Sequence, residues 1–295
     1  MLKQEVAEPS TANIAGVSQT PSVRLALVGL SFSMVLSSLG TSIVNVGLPT
    51  LAQAFSASFQ QVQWVVIAYL LAITTLVVGI GRLGDLTGRR RLLLAGIALF
   101  TGASVVCGIA SALWLLIAAR AIQGLGAAAM MSLSLSFVGD LMPKEKTGSA
   151  MGLLGTMSAI GTALGPSLGG ILIARIGWQA IFLINLPLGI LTFLLVLRYL
   201  PVDRHNHKTI RGGFDKTGML LTLTLAAYAL AMTVGRGDFG LLNLTLLVAA
   251  AIGVVGFMRI EARVSTPLLQ LKMFRNLALA FEHFCDFTVF KFIHG

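Results

Sequence analysis

Three groups of residues in this chain combine types and spacings that could do chemistry in an apolar setting. Arg120 and Gln123 stand three apart in the string Arg-Ala-Ile-Gln-Gly-Leu-Gly, so they share one face of a helix. An arginine within an apolar run is costly, and it points to function by default. It lies about 7 residues, roughly 10 Å, below the outer end of its run. A side chain that snorkels to the interface is therefore the competing reading. The second group is the string from Gly81 to Arg91, with Gly81, Gly84, Asp85, Gly88, Arg89, Arg90 and Arg91. Its glycines allow a tight turn between antiparallel helices. Asp85 there can pair with the arginines or cap the next helix; a plain basic loop with a capping acid is the simpler alternative. The third group is Gly161, Gly165 and Gly169, which recur every four residues and give one smooth helix face, followed by Gly170. Pro166 within this run cannot donate its backbone hydrogen bond and should bend the helix.

Other chemistries are excluded. The sequence has no P-loop, no H-E-x-x-H and no nucleophile elbow, so neither an enzyme nor ATP-driven transport is expected. Cys107 and Cys285 have no metal spacing and make no disulfide framework. No cofactor is implied. No Asp or Glu falls inside an apolar run; Asp85 and Asp140 sit at run ends. Proton coupling needs a group that titrates. This chain offers only Arg120, those two end carboxylates and neutral polar groups.

The elements that must position these residues are membrane helices. Hydrophobic residues make up 56% of the 295 and charged ones only 11%, against roughly 25% charged in soluble domains. A span needs about 20 apolar residues. Eight runs qualify, with ends uncertain by about 2–4 residues: Leu25–Leu48, Val62–Ile80, Leu92–Ala110, Leu113–Val138, Gly148–Ile173, Trp178–Leu197, Gly218–Val234 and Leu241–Met258. The continuous runs are too long for barrel strands. The fold class is thus all-α, a polytopic membrane helical bundle. The net charge of +10 does not indicate nucleic acid, because the basic residues fall in short gaps between apolar runs. One set of gaps carries seventeen of them, among them Arg24, Arg89, Arg90, Arg91, Lys144 and Arg198. The opposite set carries only Arg175 and Arg236. That bias places the N-terminus and the basic loops in the cytoplasm. The first residues, with Glu5, Glu8 and Pro9 and no apolar core, do not read as a signal peptide.

Taken together, these strings resemble the major facilitator superfamily. The Gly81–Arg91 string resembles its cytoplasmic signature loop, with Leu86 standing where a basic residue is frequent. Arg120, Gln123 and Gly124 resemble the R-x-x-Q-G pattern of its fourth span, where the arginine is linked to proton coupling. Gly161, Gly165, Pro166, Gly169 and Gly170 resemble its antiporter signature, which efflux members carry. Leu39 to Pro49, Trp64 to Leu70 and Trp178 to Gly189 narrow the likeness to the fourteen-span drug:proton antiporters of the EmrB/QacA type. Gly40 departs from that group's usual aspartate and Gln179 from a common arginine.

The resemblance implies a six-helix facilitator N-domain plus two linker helices, with the C-domain missing. The layout is a flexible cytoplasmic tail over 1–23, the six-span domain over 24–198, a cytoplasmic loop over 199–216, two extra spans over 217–259, and a loop with an atypical end over 260–295. The function implied is secondary active transport, proton-coupled efflux of drugs or other amphipathic compounds across the inner (plasma) membrane. Asn45, Tyr69, Arg120, Gln123 and Asn185 are expected to face the substrate path. Each but Arg120 is equally suited to a helix–helix hydrogen bond or an interfacial anchor. Partners are the lipid bilayer, a small amphipathic substrate and protons; a periplasmic adaptor or a complementing transporter half also fits. The family continues beyond Arg275 for six more spans, so a truncated or frameshifted product is expected. A fragment or a half-transporter is the alternative. A non-transporting assembly subunit, and an exporter of metabolites or siderophores, are the competing functions.

Overall fold

The structure is a computed structural model, and it describes residues 21–201, 220, 224, 227–228, 231 and 240–261. Among these the regular elements are all helices: α1 Pro21–Ala54, α2 Phe59–Thr87, α3 Arg89–Gly108, α4 Leu113–Leu141, α5 Lys144–Arg175, α6 Ala180–Leu183, α7 Asn185–Tyr199 and α8 Leu241–Glu261. Six stretches among the described residues are long and apolar enough to cross a membrane, with α6 and α7 together forming the sixth. The tail over 1–20, most of the seventh expected span and everything after 261 lie outside the described residues.

Helix ends follow local chemistry. Ser58 opens α2 with a capping box: its Oγ accepts from the Gln61 N–H at 3.3 Å, and the Gln61 side chain accepts from the Ser58 N–H at 2.9 Å. The expected loop from Gly81 to Arg91 is largely helix instead. α2 runs through Gly81 and Gly84 to Thr87, and only Gly88 breaks the chain, at φ 99°. One left-handed residue is enough to end one helix and start the next, and glycine takes that conformation without a Cβ penalty. The span expected over Trp178–Leu197 is present as α6 and α7 together. The helix is interrupted at Ile184, where Pro187 has no N–H to give the carbonyl of Leu183.

The chain forms two compact units, Met1–Asn206 and His207–Gly295. In the first, α1 is the central helix, with 78% of its apolar window inside the bundle, against 22% for α2 and 17% for α5. α2 and α5 therefore keep a broad outward face. One core cluster gathers Leu30, Tyr69, Ile97, Phe100, Met130 and Leu133, and the other Ile43, Val65, Leu116, Ile181 and Phe182. α4 is held between α2 and α3 by close backbone approach. A Cβ on Gly124 would stand 2.6 Å from the Tyr69 carbonyl oxygen, and one on Gly126 2.6 Å from that of Gly96. In the second unit, the Asn243 amide donates to the Ala231 carbonyl at 2.7 Å.

Candidate functional site

The α1–α5 contact shows how the glycine face works. Gly161, Gly165 and Gly169 are buried against α1. A Cβ on Gly161 would come within 2.7 Å of the Val35 carbonyl oxygen; one on Gly165 would meet Ser42, its Cβ at 2.6 Å, and the Ile43 nitrogen at 2.9 Å. Pro166 lies inside a continuous α5. Having no N–H, it leaves the Thr162 carbonyl without its helical donor. The Ser42 hydroxyl of α1 donates to that carbonyl at 2.6 Å. One turn earlier, the Ser38 and Ser158 hydroxyls hydrogen-bond at 2.5 Å. The glycines and the proline thus act as one device: small residues admit Ser42, and the proline frees the acceptor it binds. Gly170 faces away, with nothing within 4 Å of where its Cβ would be.

Beside this seam lies a cavity of about 240 Å³, lined by Ser37, Ser38, Thr41, Ser42, Asn45, Leu70, Ile73, Met131 and Thr162. Its wall offers hydroxyls and one carboxamide on one side and apolar groups on the other, with no formal charge. Of the residues expected to face a substrate path, Asn45 lies on this wall. Tyr69, Arg120, Gln123 and Asn185 are buried inside the bundle.

Three of those buried residues form one network behind the cavity. The Tyr69 hydroxyl donates to the Ser37 carbonyl at 2.8 Å, on the cavity side. The Arg120 guanidinium carbon sits 3.9 Å from the centre of the Tyr69 ring, where the ring's electron-rich face attracts a cation. Arg120 Nε donates to the Val65 carbonyl at 3.1 Å and Nη1 to Gln123 Oε1 at 2.6 Å. Gln123 Nε2 donates to Ser104 Oγ at 2.6 Å, and Ser104 donates to the Phe100 carbonyl at 2.8 Å. The guanidinium does not snorkel; it has no exposed surface. Among the described residues no carboxylate pairs with it, and its Nη2 has no hydrogen-bond partner. Gly40, the position of the absent aspartate, faces this same interior. A Cβ there would stand 3.1 Å from Phe100 Cζ and 3.3 Å from the Tyr69 hydroxyl. Asn185 is buried apart from the network, its Oδ1 also without a partner.

At the other end of the bundle, the Gly88 break lets α3 begin with three arginines. Arg89 forms an ion pair with Asp140 at the end of α4. Arg90 donates to the Leu197 carbonyl near the end of α7 at 2.5 Å. Gly84 faces Leu133 of α4, whose Cδ2 would lie 2.7 Å from an added Cβ, and Gly81 faces Ser132. The side chains of Arg82, Asp85 and Leu86 lie outside the described residues.

Sequence reasoning did not single out the hydroxyl wall. Its signal was present in α1, where Ser31, Ser38 and Asn45 repeat every seven residues, flanked by Ser37, Thr41 and Ser42. Among such small hydroxyls, nothing in the sequence separates a cavity wall from helix packing.

Comparison with known proteins fits this geometry. The model of the Major Facilitator Superfamily matches residues 30–280. "Multidrug resistance protein Stp" of Mycobacterium tuberculosis is 37% identical over 286 residues, covering 95% of this chain and 52% of that protein. "Riboflavin transporter RibZ" of Clostridioides difficile is 32% identical, covering 85% and 54%. The "Tetracenomycin C resistance and export protein" of Streptomyces glaucescens is 32% identical, covering 90% and 51%. The chain thus spans about half the length of the curated relatives it matches. A bacterial homologue of the human lysosomal transporter Spinster, solved inward-facing and occupied, superposes with a TM-score of 0.56 at 17% identity. That alignment covers 84% of this chain and 64% of that one, and it is a likeness of fold.

Proposed function

From its membership of the major facilitator superfamily, as a multi-pass membrane transporter chain and not an enzyme, we propose that the chain supplies one half of a proton-coupled exporter of amphipathic compounds. The observation that carries this reading is the uncharged cavity between α1, α2, α4 and α5, backed by the buried Arg120 network. A wall that mixes hydroxyls with apolar side chains suits molecules having both kinds of surface. Names of relatives that confer multidrug resistance or export tetracenomycin C support the direction of transport.

In this reading residues 24–198 are the facilitator N-domain, 199–216 a connecting loop, and 217–259 two linker helices. The N-terminus and the basic loops face the cytoplasm. A second helical half closes the other side of the cavity, and the two rock about it to expose it to each side in turn. Arg120 couples proton entry to that motion through Tyr69, whose hydroxyl is bonded to the cavity wall at Ser37. The Arg89–Asp140 pair and the Arg90 contact with α7 stabilise one of the two conformations.

The test is drug accumulation in a hypersensitive bacterial host. The chain is expressed alone and together with the second half of a relative, with and without a protonophore. Protonophore-sensitive efflux from the pair, abolished by Arg120→Gln at unchanged membrane abundance, is expected. Efflux indifferent to both treatments would overturn the proposal. The riboflavin transporter among the relatives favours a second reading, export of a metabolite. A substrate panel in the same host separates the two.

A further inference from the structure

One end of the seam between α3 and α7 carries arginines that the transport reading does not use. The bond from Arg90 to the Leu197 carbonyl brings their sequence neighbours, Arg91 and Arg198, to the same end of that seam. Both are exposed, and among the described residues neither forms an ion pair. The carboxylate of Asp140 is already engaged by Arg89. Exposed cations thus gather where two helices leave the apolar layer, and among the described residues no carboxylate pairs with Arg91 or Arg198.

The surface running inward from them has a particular shape. Arg91, Ala95, Ala98 and Gly102 are spaced by four, three and four, so they share one face of α3. All are exposed, and nothing stands within 4 Å of where a Gly102 Cβ would be. Across the seam, α7 exposes Ile190, Leu194 and Leu197. The helices meet closely beneath, where a Cβ on Gly189 would strike the Thr101 side chain. A low floor of small residues beside a ridge of branched ones makes a furrow. From Arg91 to Gly102 it is about 16 Å long, at about 1.5 Å per residue. One leaflet of hydrocarbon is about 15 Å deep, half of a roughly 30 Å core.

The geometry points to a site for one anionic phospholipid on the α3–α7 seam, its phosphate between Arg91 and Arg198 and one acyl chain laid in the furrow down to Gly102. Basic pockets where helices meet the headgroup layer attract anionic lipids, at about 1 kcal/mol per Lys or Arg near the surface. The fork of a guanidinium suits phosphate oxygens. The small residues let an acyl chain lie close enough to gain dispersion contact along its length. The site depends neither on substrate transport nor on which face of the membrane the arginines occupy.

The test uses the full chain, taken from phosphatidylcholine vesicles containing a minor fraction of phosphatidylglycerol. Native mass spectrometry counts the phosphatidylglycerol that stays bound. Arg91→Gln combined with Arg198→Gln is expected to lower that retention roughly tenfold or more. Lys144→Gln combined with Lys146→Gln removes the same charge from the start of α5 and is expected to leave retention unchanged. Gly102→Leu fills the furrow without changing charge and is expected to lower retention as well; it also carries the test if the arginine pair fails to fold. Equal loss from the lysine pair, or full retention by Gly102→Leu, overturns the site in favour of diffuse attraction. Displacement of the lipid by excess inorganic phosphate overturns it in favour of a free-anion site.

Discussion

Removal of the Ser42 hydroxyl tests the link between Pro166 and α1. In an ordinary helix the Thr162 carbonyl would accept from residue 166, but Pro166 has no N–H, and Ser42 supplies the donor at 2.6 Å. Ser42→Ala leaves that carbonyl without a donor from the protein. Interhelical hydrogen bonds in membranes average about 0.6 kcal/mol and reach about 1.7. The bond here is short and its acceptor has lost its helical donor, so the upper part of that range applies, about 1–1.5 kcal/mol. Pro166→Ala restores the N–H, and in that background the carbonyl no longer depends on Ser42. Ser42→Ala should then cost about 0.3 kcal/mol or less, leaving a coupling of about 1 kcal/mol. The assay is reversible unfolding in mixed micelles for the four members of the cycle, followed by far-UV circular dichroism. An equal cost of Ser42→Ala in both backgrounds would refute the reasoning: Ser42 would then stabilise by packing, and the proline would have no part in it.

Three further outcomes follow from the same structure. Gly165→Ala should destabilise by about 1–3 kcal/mol through overpacking against Ser42 and the Ile43 backbone, whereas Gly170→Ala, facing open space, should be close to neutral; thermal melts of the two variants check the contrast. Gln123→Ala strands Arg120 Nη1 and removes the amide donor to Ser104, so it should cost about 1–3 kcal/mol, and Arg120→Lys should lower efflux because one ammonium cannot span Val65, Gln123 and the Tyr69 ring together. Arg89→Gln and Asp140→Asn should each change stability by less than about 1 kcal/mol, since the pair is solvent-exposed, yet both should slow transport and should not add when combined, as read from initial efflux rates.

The sequence by itself determined the class of the molecule. Apolar runs of span length require helices, because a backbone in lipid must satisfy its own hydrogen bonds. The runs from Leu25 to Leu197 accordingly appear as helices, and the strings around Asp85, Arg120 and Pro166 carried the family. Composition and spacing are enough for this because they act through local, one-dimensional rules. Tertiary structure alone decided where the polar groups point. Arg120, read as functional with snorkelling as the competing reading, turns inward because the Val65 carbonyl, Gln123 and the Tyr69 ring converge on it from α2 and α4. Gly40 proves to back onto that same network through Tyr69 and Phe100. The turn at Gly88 is shorter than the glycine-rich string suggests, because Gly81 and Gly84 serve contact with α4. Ser42 and Thr162 are 120 residues apart, and no local rule connects them. Their meeting depends on how closely two helices approach, which is set by which side chains are missing between them.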